Sequence, residues 1–180
     1  MARLKLATIW LAGCSGCHMS FLDLDEWLLE LAKLADVVYS PVLDIKEFPE
    51  GVDVTLVEGA VANEENLEML RTVRQRSKLL VSFGDCAVTG NVTALRNPLS
   101  AAEPVLARSY VELADEKQGA PSEPGILPVL LDRVEPLHAI VPVDYFLPGC
   151  PPSANEIRIV LEAFAAGRAP MLEGKQIKFG

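Results

Sequence analysis

The chain has 180 residues, of which 50% are apolar and 23% are charged, so its composition is that of a folded domain and not of a disordered chain. Its 25 acidic and 16 basic residues give a net charge of −9, which disfavours non-specific binding to nucleic acids, because such binding requires a basic surface. The apolar runs have the length of strands, far short of the ~20 residues of a membrane-spanning helix. The short N-terminal apolar run lacks a convincing cleavage site, so we expect a cytoplasmic protein.

Apolar runs alternate with amphipathic segments along the chain, and this alternation predicts an α/β fold. Buried strands are predicted at residues 4–12, 37–43, 52–57, 79–83 and 140–147. Helices are predicted at residues 20–34, 63–76 and 153–166. The second helix has an asparagine cap, and Ser153 and Glu156 predict a capping box at the start of the third.

The segment between residues 89 and 142 has no sustained helix or strand period and is punctuated by prolines. We expect a short helix at residues 101–114 and a proline-rich stretch at residues 119–128. The chain is therefore predicted to be a single domain, residues 1–180, with an irregular proline-rich insertion at about residues 97–136. Long irregular segments in compact domains usually have a function, so this insertion is a candidate docking surface for a partner.

The four cysteines each come after a predicted strand. Cys14 and Cys17 form a CxxC after the first strand, Cys86 follows the strand at residues 79–83, and Cys150 follows the last strand. Ligands of open parallel sheets bind beyond the carboxyl ends of the strands, so three distant segments would bring four thiols to one edge. In a reducing compartment such thiols indicate metal or redox chemistry more than disulfides.

Four thiolates suit either a 4Fe–4S cluster or a zinc ion. Structural zinc more often uses two CxxC pairs, so one CxxC with two isolated cysteines favours the cluster. Residues 14–18 also match the CxxCH pattern of c-type haem attachment, but the chain shows no export signal. A thioredoxin-like redox site would leave Cys86 and Cys150 unexplained, and their glycine- and proline-flanked positions argue against ordinary core cysteines.

Two further residues lie near these cysteines in the sequence. His18 would either hydrogen-bond a cluster sulfur or a partner group, or have a structural role. Glu58 ends a predicted strand at the same edge, and we expect an exposed or partner-paired acid, although a place near the metal or a role in proton transfer stays open. There is no Walker loop, GxGxxG or Ser–His–Asp arrangement, so nucleotide hydrolysis and acyl transfer have no visible machinery and no catalytic residue is predicted.

Four motifs carry a family resemblance: Gly-Cys-Ser-Gly-Cys-His at 13–18, Val-Glu-Gly-Ala-Val at 57–61, Gly-Asp-Cys-Ala at 84–87 and Leu-Pro-Gly-Cys-Pro-Pro at 147–152. Together they resemble the small subunits of nickel–iron hydrogenases, which are themselves similar to the 20-kDa-type subunit of respiratory NADH dehydrogenase. The resemblance implies a flavodoxin-like three-layer fold with a mostly parallel sheet. It also implies that Cys14, Cys17, Cys86 and Cys150 ligate one 4Fe–4S cluster close to a nickel–iron site in a separate large subunit.

Differences between this sequence and other members of the family narrow the resemblance to one subgroup. Periplasmic small subunits carry a twin-arginine signal and extra clusters, and respiratory relatives carry two adjacent cysteines in place of the CxxC. The stretches 85–97 and 134–152 look most like the short small subunit of cytoplasmic, NAD-reducing (bidirectional) hydrogenases.

That subgroup implies a role for the chain and a set of partners. The chain would relay electrons between the large subunit and iron–sulfur and flavin diaphorase subunits, with FMN and NAD bound on the partners. We predict no flavin in this chain, because Cys14 and Cys17 occupy the loop after the first strand. A subunit of a quinone-reductase-like complex and a zinc-stabilised scaffold are the alternatives.

Overall fold

The computed structural model of the chain describes residues 3–116, 119–177 and 179. Its centre is a parallel sheet of five strands: β1 (Leu4–Trp10), β2 (Ala35–Tyr39), β3 (Val52–Glu58), β5 (Ser77–Phe83) and β7 (Tyr145–Leu147). The strand order is β2-β1-β3-β5-β7, and every neighbouring pair is parallel. Two short strands, β4 (Val61–Asn63) and β6 (Leu130–Glu135), form a separate antiparallel pair.

Helices cover both faces of the sheet. The α-helices of the described residues are α1 (Gly16–Leu22), α2 (Trp27–Leu34), α3 (Glu64–Arg76), α4 (Asp85–Thr89), α5 (Glu103–Ala107) and α6 (Ala154–Ala165). Successive strand residues point to opposite faces, so Leu6 packs in a core with α2 and α6, whereas Ala7 packs in a second core with α3. Both cores are buried, as expected for a parallel sheet, and the predicted three-layer α/β fold is confirmed.

Two helix starts follow directly from the sequence. The Asn63 side chain accepts a hydrogen bond of 2.7 Å from the backbone N–H of Asn66 and caps α3. At α6, Ser153 and Glu156 form the predicted capping box, in which each side chain accepts from the other residue's backbone N–H. Both caps satisfy N–H groups that have no partner within their own helix.

The first predicted helix is wrong as one continuous segment. The structure has α1 starting earlier, at Gly16, and a break before α2 in which Asp25 has a φ of +49°. Aspartate tolerates this left-handed conformation better than most residues, because its short side chain bonds locally to the backbone. The apolar spacing continues across the break, which explains why the periodicity alone did not show it.

The last predicted strand is also shorter than expected. The structure has a 3₁₀ turn at Leu137–Ala139 and only three strand residues, Tyr145–Leu147. Pro142 lies between them and has no N–H to donate to a sheet, which is consistent with the delayed start of β7.

The segment at residues 97–136 contains the short helix predicted at residues 101–114 and, in addition, a strand that the sequence did not predict. It includes α5, a π-helical turn at Arg108–Glu112 and the strand β6, which pairs with β4. Asn97 fixes β6 through two bonds to Val134, one of 2.8 Å from its N–H and one of 2.9 Å to its carbonyl. Residues 117 and 118 of this segment lie outside the described residues.

Among the residues that the structure describes, no helix combines the length and the apolar character that a membrane crossing requires.

Candidate metal centre

The four cysteines lie in three segments at the carboxyl edge of the parallel sheet. Cys14 follows β1, Cys17 lies in the first turn of α1, Cys86 lies in α4 directly after β5, and Cys150 follows β7. Cys17 and Cys86 are buried, whereas Cys14 and Cys150 are exposed. The group of thiols therefore has an inner side that faces the protein and an outer side at the surface.

Hydrogen bonds hold these segments in register. The backbone N–H of Asp85 donates to the carbonyl of Gly149 at 2.9 Å, and the N–H of Gly149 donates back to the Asp85 carboxylate at 2.7 Å. The Ser20 hydroxyl of α1 donates to the carbonyl of Pro152 at 2.6 Å. The positions of Cys17, Cys86 and Cys150 are thus fixed relative to one another by buried polar contacts.

Burial and nearby charges oppose the ionisation of the two buried thiols. Burial raises the pKa of Cys17, and neighbouring charges raise it further, in the order Glu58, Cys86, Cys14 and Cys150. Burial also raises the pKa of Cys86, as do Cys14 and Cys150, while hydrogen bonds from Thr93 lower it. A thiol with a raised pKa keeps its proton at neutral pH, so a metal that binds here must displace that proton.

Glycine makes the room that the sulfur atoms occupy. Gly84 has a φ of +84°, and a Cβ added to it would overlap Cys17 Sγ, well inside the 3.0 Å that real Cβ atoms keep. A Cβ on Gly16 would lie 3.3 Å from Cys14 Sγ. Four soft thiol donors in a cradle lined by glycine backbone fit a thiolate-ligated iron–sulfur cluster.

Within residues 3–116, 119–177 and 179, no three His, Cys, Asp or Glu side chains are grouped so that they could hold one metal ion.

Glu58 and His18 form a buried pair at the end of β3, where the sequence had left the role of each residue open. Glu58 is only 2% exposed, so of the two expectations, an exposed acid or a partner-paired acid, the first is wrong. Its Oε2 accepts the backbone N–H of His18 at 3.0 Å and is in close contact with His18 Nδ1. The contact holds the first turn of α1, which contains Cys17, against the end of β3. It joins residues 40 positions apart, so only the adjacency of β1 and β3 brings it about.

Sequence reasoning also missed two side chains that contact the thiols. The Asn91 side-chain amide donates to Cys150 Sγ at 3.4 Å, and Thr93 hydrogen-bonds Cys86. Both lie in the segment that follows α4, which sequence analysis treated as irregular. Their nearness to Cys86 in the chain was the only signal that pointed to them.

Comparisons with known proteins agree with this architecture. The family model described as NADH ubiquinone oxidoreductase, 20 Kd subunit, matches residues 14–164. The delta subunit of the NAD-reducing hydrogenase HoxS of Cupriavidus necator is 43% identical over 170 residues, covering 92% of this chain and 80% of that protein. One of the subunits of the F420-non-reducing hydrogenase vhu of Methanocaldococcus jannaschii is 40% identical over 173 residues, covering 95% of this chain and 59% of that protein.

Solved structures extend the comparison. A chain in the crystal structure of NAD+-reducing [NiFe]-hydrogenase in the H2-reduced state superposes with a TM-score of 0.94 and 40% identity, covering 99% of this chain and 100% of that one. The [NiFeSe]-hydrogenase of Dm. baculatum gives a TM-score of 0.59 at 16% identity, with coverage of 96% and 68%, and therefore shows a shared fold alone. With a family match across residues 14–164 and relatives at 40% identity or more, the chain belongs to the family of the 20-kDa subunit of NADH–ubiquinone oxidoreductase and is a homologue of hydrogenase small subunits.

Proposed function

We propose that this chain is the electron-transfer subunit of an NAD-reducing nickel–iron hydrogenase and holds one 4Fe–4S cluster through Cys14, Cys17, Cys86 and Cys150. The observation that carries the proposal is the placement of four cysteines, from three segments, at one edge of the parallel sheet. When bound, the cluster supplies one-electron transfer. In the complex, electrons would pass between the large subunit and the diaphorase subunits, for the overall reaction H2 + NAD+ to NADH + H+.

The residues of this chain would hold and insulate the cluster. Cys17 and Cys86 are buried and would bind its inner side, while Cys14 and Cys150 would bind the side that reaches the surface. Because the pKa values of both inner thiols are raised, assembly must release their protons, and the bound metal would offset the burial of two thiolates. The outer side is then the route by which electrons enter or leave.

An apolar surface beside the site supports a large-subunit partner. A cleft of about 220 Å³ is lined by six exposed apolar side chains, namely Trp10, Met19, Leu22, Val37, Val42 and Leu43. Apolar groups clustered on a surface favour burial against another protein. Two relatives with 40% identity or more are, by name, subunits of hydrogenases, which provide such a partner.

The diaphorase subunits would dock on the segment at residues 97–136. Seven large apolar side chains in the described part of this segment are exposed: Leu99, Tyr110, Val111, Leu113, Ile126, Leu127 and Val129. The strand β6 anchors the segment to β4, so its surface is held in place before docking. The complex would be cytoplasmic, where NAD is available.

Iron counting and spectroscopy of the anaerobically purified complex test the proposal. We expect about four irons per copy of this chain and the electron paramagnetic resonance signal of a reduced 4Fe–4S cluster. Cys86→Ser and Cys150→Ser should each convert or lose the cluster and reduce hydrogen-dependent NAD+ reduction by at least about tenfold, since one ligand is removed. Reduction of a dye by NADH should survive, because that reaction lies in the diaphorase.

Other outcomes would point to other functions. Zinc in place of iron would identify the scaffold alternative. A second candidate function, in a quinone-reductase-like complex, is favoured by the description of the matched family itself. A cluster-containing complex that reduces a quinone and shows no hydrogen-dependent activity would establish that second function and refute the first.

A further inference from the structure

The segment that follows α4 places a hydrogen-bond donor against one cysteine of the candidate centre. The Asn91 side-chain nitrogen lies 3.4 Å from Cys150 Sγ, within the range of bonds to sulfur. An amide nitrogen donates and a thiolate accepts, so the orientation suits the charged form of the cysteine. This contact joins two segments 59 residues apart, and it is distinct from the ligation of the cluster.

The backbone around Asn91 holds the amide in this position. Gly90 and Asn91 both have positive φ values, +87° and +33°, and Gly90 N–H donates to the carbonyl of Cys86 at 2.9 Å. On the other side, the Thr93 hydroxyl donates to the carbonyl of Ala12 at 3.2 Å. Asn91 is therefore fixed between the Cys86 turn and the loop that leads to Cys14.

A donor at a ligating sulfur changes the energy of reduction. Reduction adds one electron to the cluster, and part of the added charge resides on the thiolates. An N–H···S bond stabilises that charge more in the reduced state than in the oxidised state, and so raises the reduction potential. Cys150 is exposed, and a docked partner would exclude the water that otherwise solvates its sulfur. The Asn91 amide would then remain as a hydrogen-bond donor to this sulfur.

We propose that Asn91 is a positioning residue that raises the reduction potential of the cluster through its hydrogen bond to Cys150. The inference rests on the proposed function, because it requires the cluster. Asn91 would thus set the reduction potential at Cys150, the surface-exposed ligand, where electrons would pass to or from a partner.

The substitutions that test this role fit the backbone at residue 91. Asn91→Gly removes the amide at a positive φ, where glycine is unstrained, and Asn91→Asp keeps the shape but replaces the donor with a negative charge. Ser100→Gly is the matched control, because Ser100 is exposed, has a φ of +65° and lies nine positions away in the same segment. All three are made in the full complex.

The measurement is the midpoint potential of the cluster in a redox titration followed by electron paramagnetic resonance, together with iron content. We expect Asn91→Gly to make the midpoint more negative, with a change of up to about tenfold in the reduction equilibrium constant, or ~59 mV for one electron. Asn91→Asp should shift it further, because a charge is added. Ser100→Gly should match the wild type, and all variants should retain about four irons.

Three results would overturn the inference. An Asn91→Gly midpoint equal to that of Ser100→Gly would show that the bond does not set the potential. Loss of iron in both Asn91 variants would assign the residue to cluster assembly in place of tuning. A wild-type complex without an iron–sulfur cluster would refute the proposed function, and this inference with it, which distinguishes the two failures.

Discussion

Replacing Gly84 with alanine tests the candidate centre without removing any thiol. Gly84 has φ and ψ values of +84° and +163°, a region almost restricted to glycine, so alanine there is expected to cost about 1–3 kcal/mol. A typical domain has about 5–15 kcal/mol of stability, so the variant should still fold. The backbone strain alone should therefore not unfold the protein, and the metal content of the folded variant can be measured.

The added methyl group has a larger effect on the sulfur. Its Cβ would overlap Cys17 Sγ, and the sulfur would have to move by roughly 1 Å, several times the ~0.2 Å within which metal–ligand distances are held. The next atom that the added Cβ would meet is the carbonyl oxygen of Gly149 at 3.5 Å, which belongs to the loop that carries Cys150. We therefore expect iron content to fall to less than about half of the wild-type value.

The assay is iron per chain in the purified complex, with far-ultraviolet circular dichroism to confirm folding. Gly51→Ala is the control: Gly51 has a φ of +68°, and a Cβ there would meet nothing within 4 Å. It should reduce stability by about 1–2 kcal/mol and retain its iron. A folded Gly84→Ala variant with four irons would refute our account of how Cys17 is placed.

Further predictions concern the metal-free chain and one helix cap. Without metal, Cys17 should be alkylated more slowly than the exposed Cys14, because its raised pKa leaves little thiolate; Glu58→Gln should accelerate that reaction, since the Glu58 charge raises this pKa. The same shift predicts that the unfolding free energy of the metal-free chain falls as pH rises above the ordinary thiol pKa of 9.0, by up to about 1.4 kcal/mol per pH unit; an unchanged denaturation midpoint between pH 8 and pH 10 would contradict it. Asn63→Ala should remove the cap of α3 and lower stability by about 1 kcal/mol in thermal unfolding, with no change in iron content.

The sequence by itself determined the layers of the fold, because they depend on local patterns. Buried valine- and leucine-rich runs predicted the strands, and the capping residues predicted the starts of α3 and α6. It also predicted that the cysteines would meet, because each follows a strand and parallel strands end at one edge. The family resemblance agreed with this placement, and the matched family and relatives confirm that resemblance.

Local sequence patterns did not predict the structure of segments that depend on residues distant in the chain. The break between α1 and α2 depends on one backbone angle at Asp25, which the continuing apolar spacing conceals. The strand β6 forms because β4 offers it a free edge and Asn97 fixes Val134, and neither partner is near in sequence. Pairing of this kind is a property of the assembled chain.

Only the tertiary structure decided the environment of each thiol. Cys14 and Cys17 are three residues apart, yet one is exposed and the other is buried beside Glu58. The burial of Glu58 against His18, the overlap that excludes a side chain at Gly84, and the bond from Asn91 to Cys150 all join residues that are far apart in the chain. The sequence pattern determines which residues lie at the edge of the sheet. Their pKa values and contacts depend on the tertiary structure, because desolvation and hydrogen bonding act between residues that are close in space.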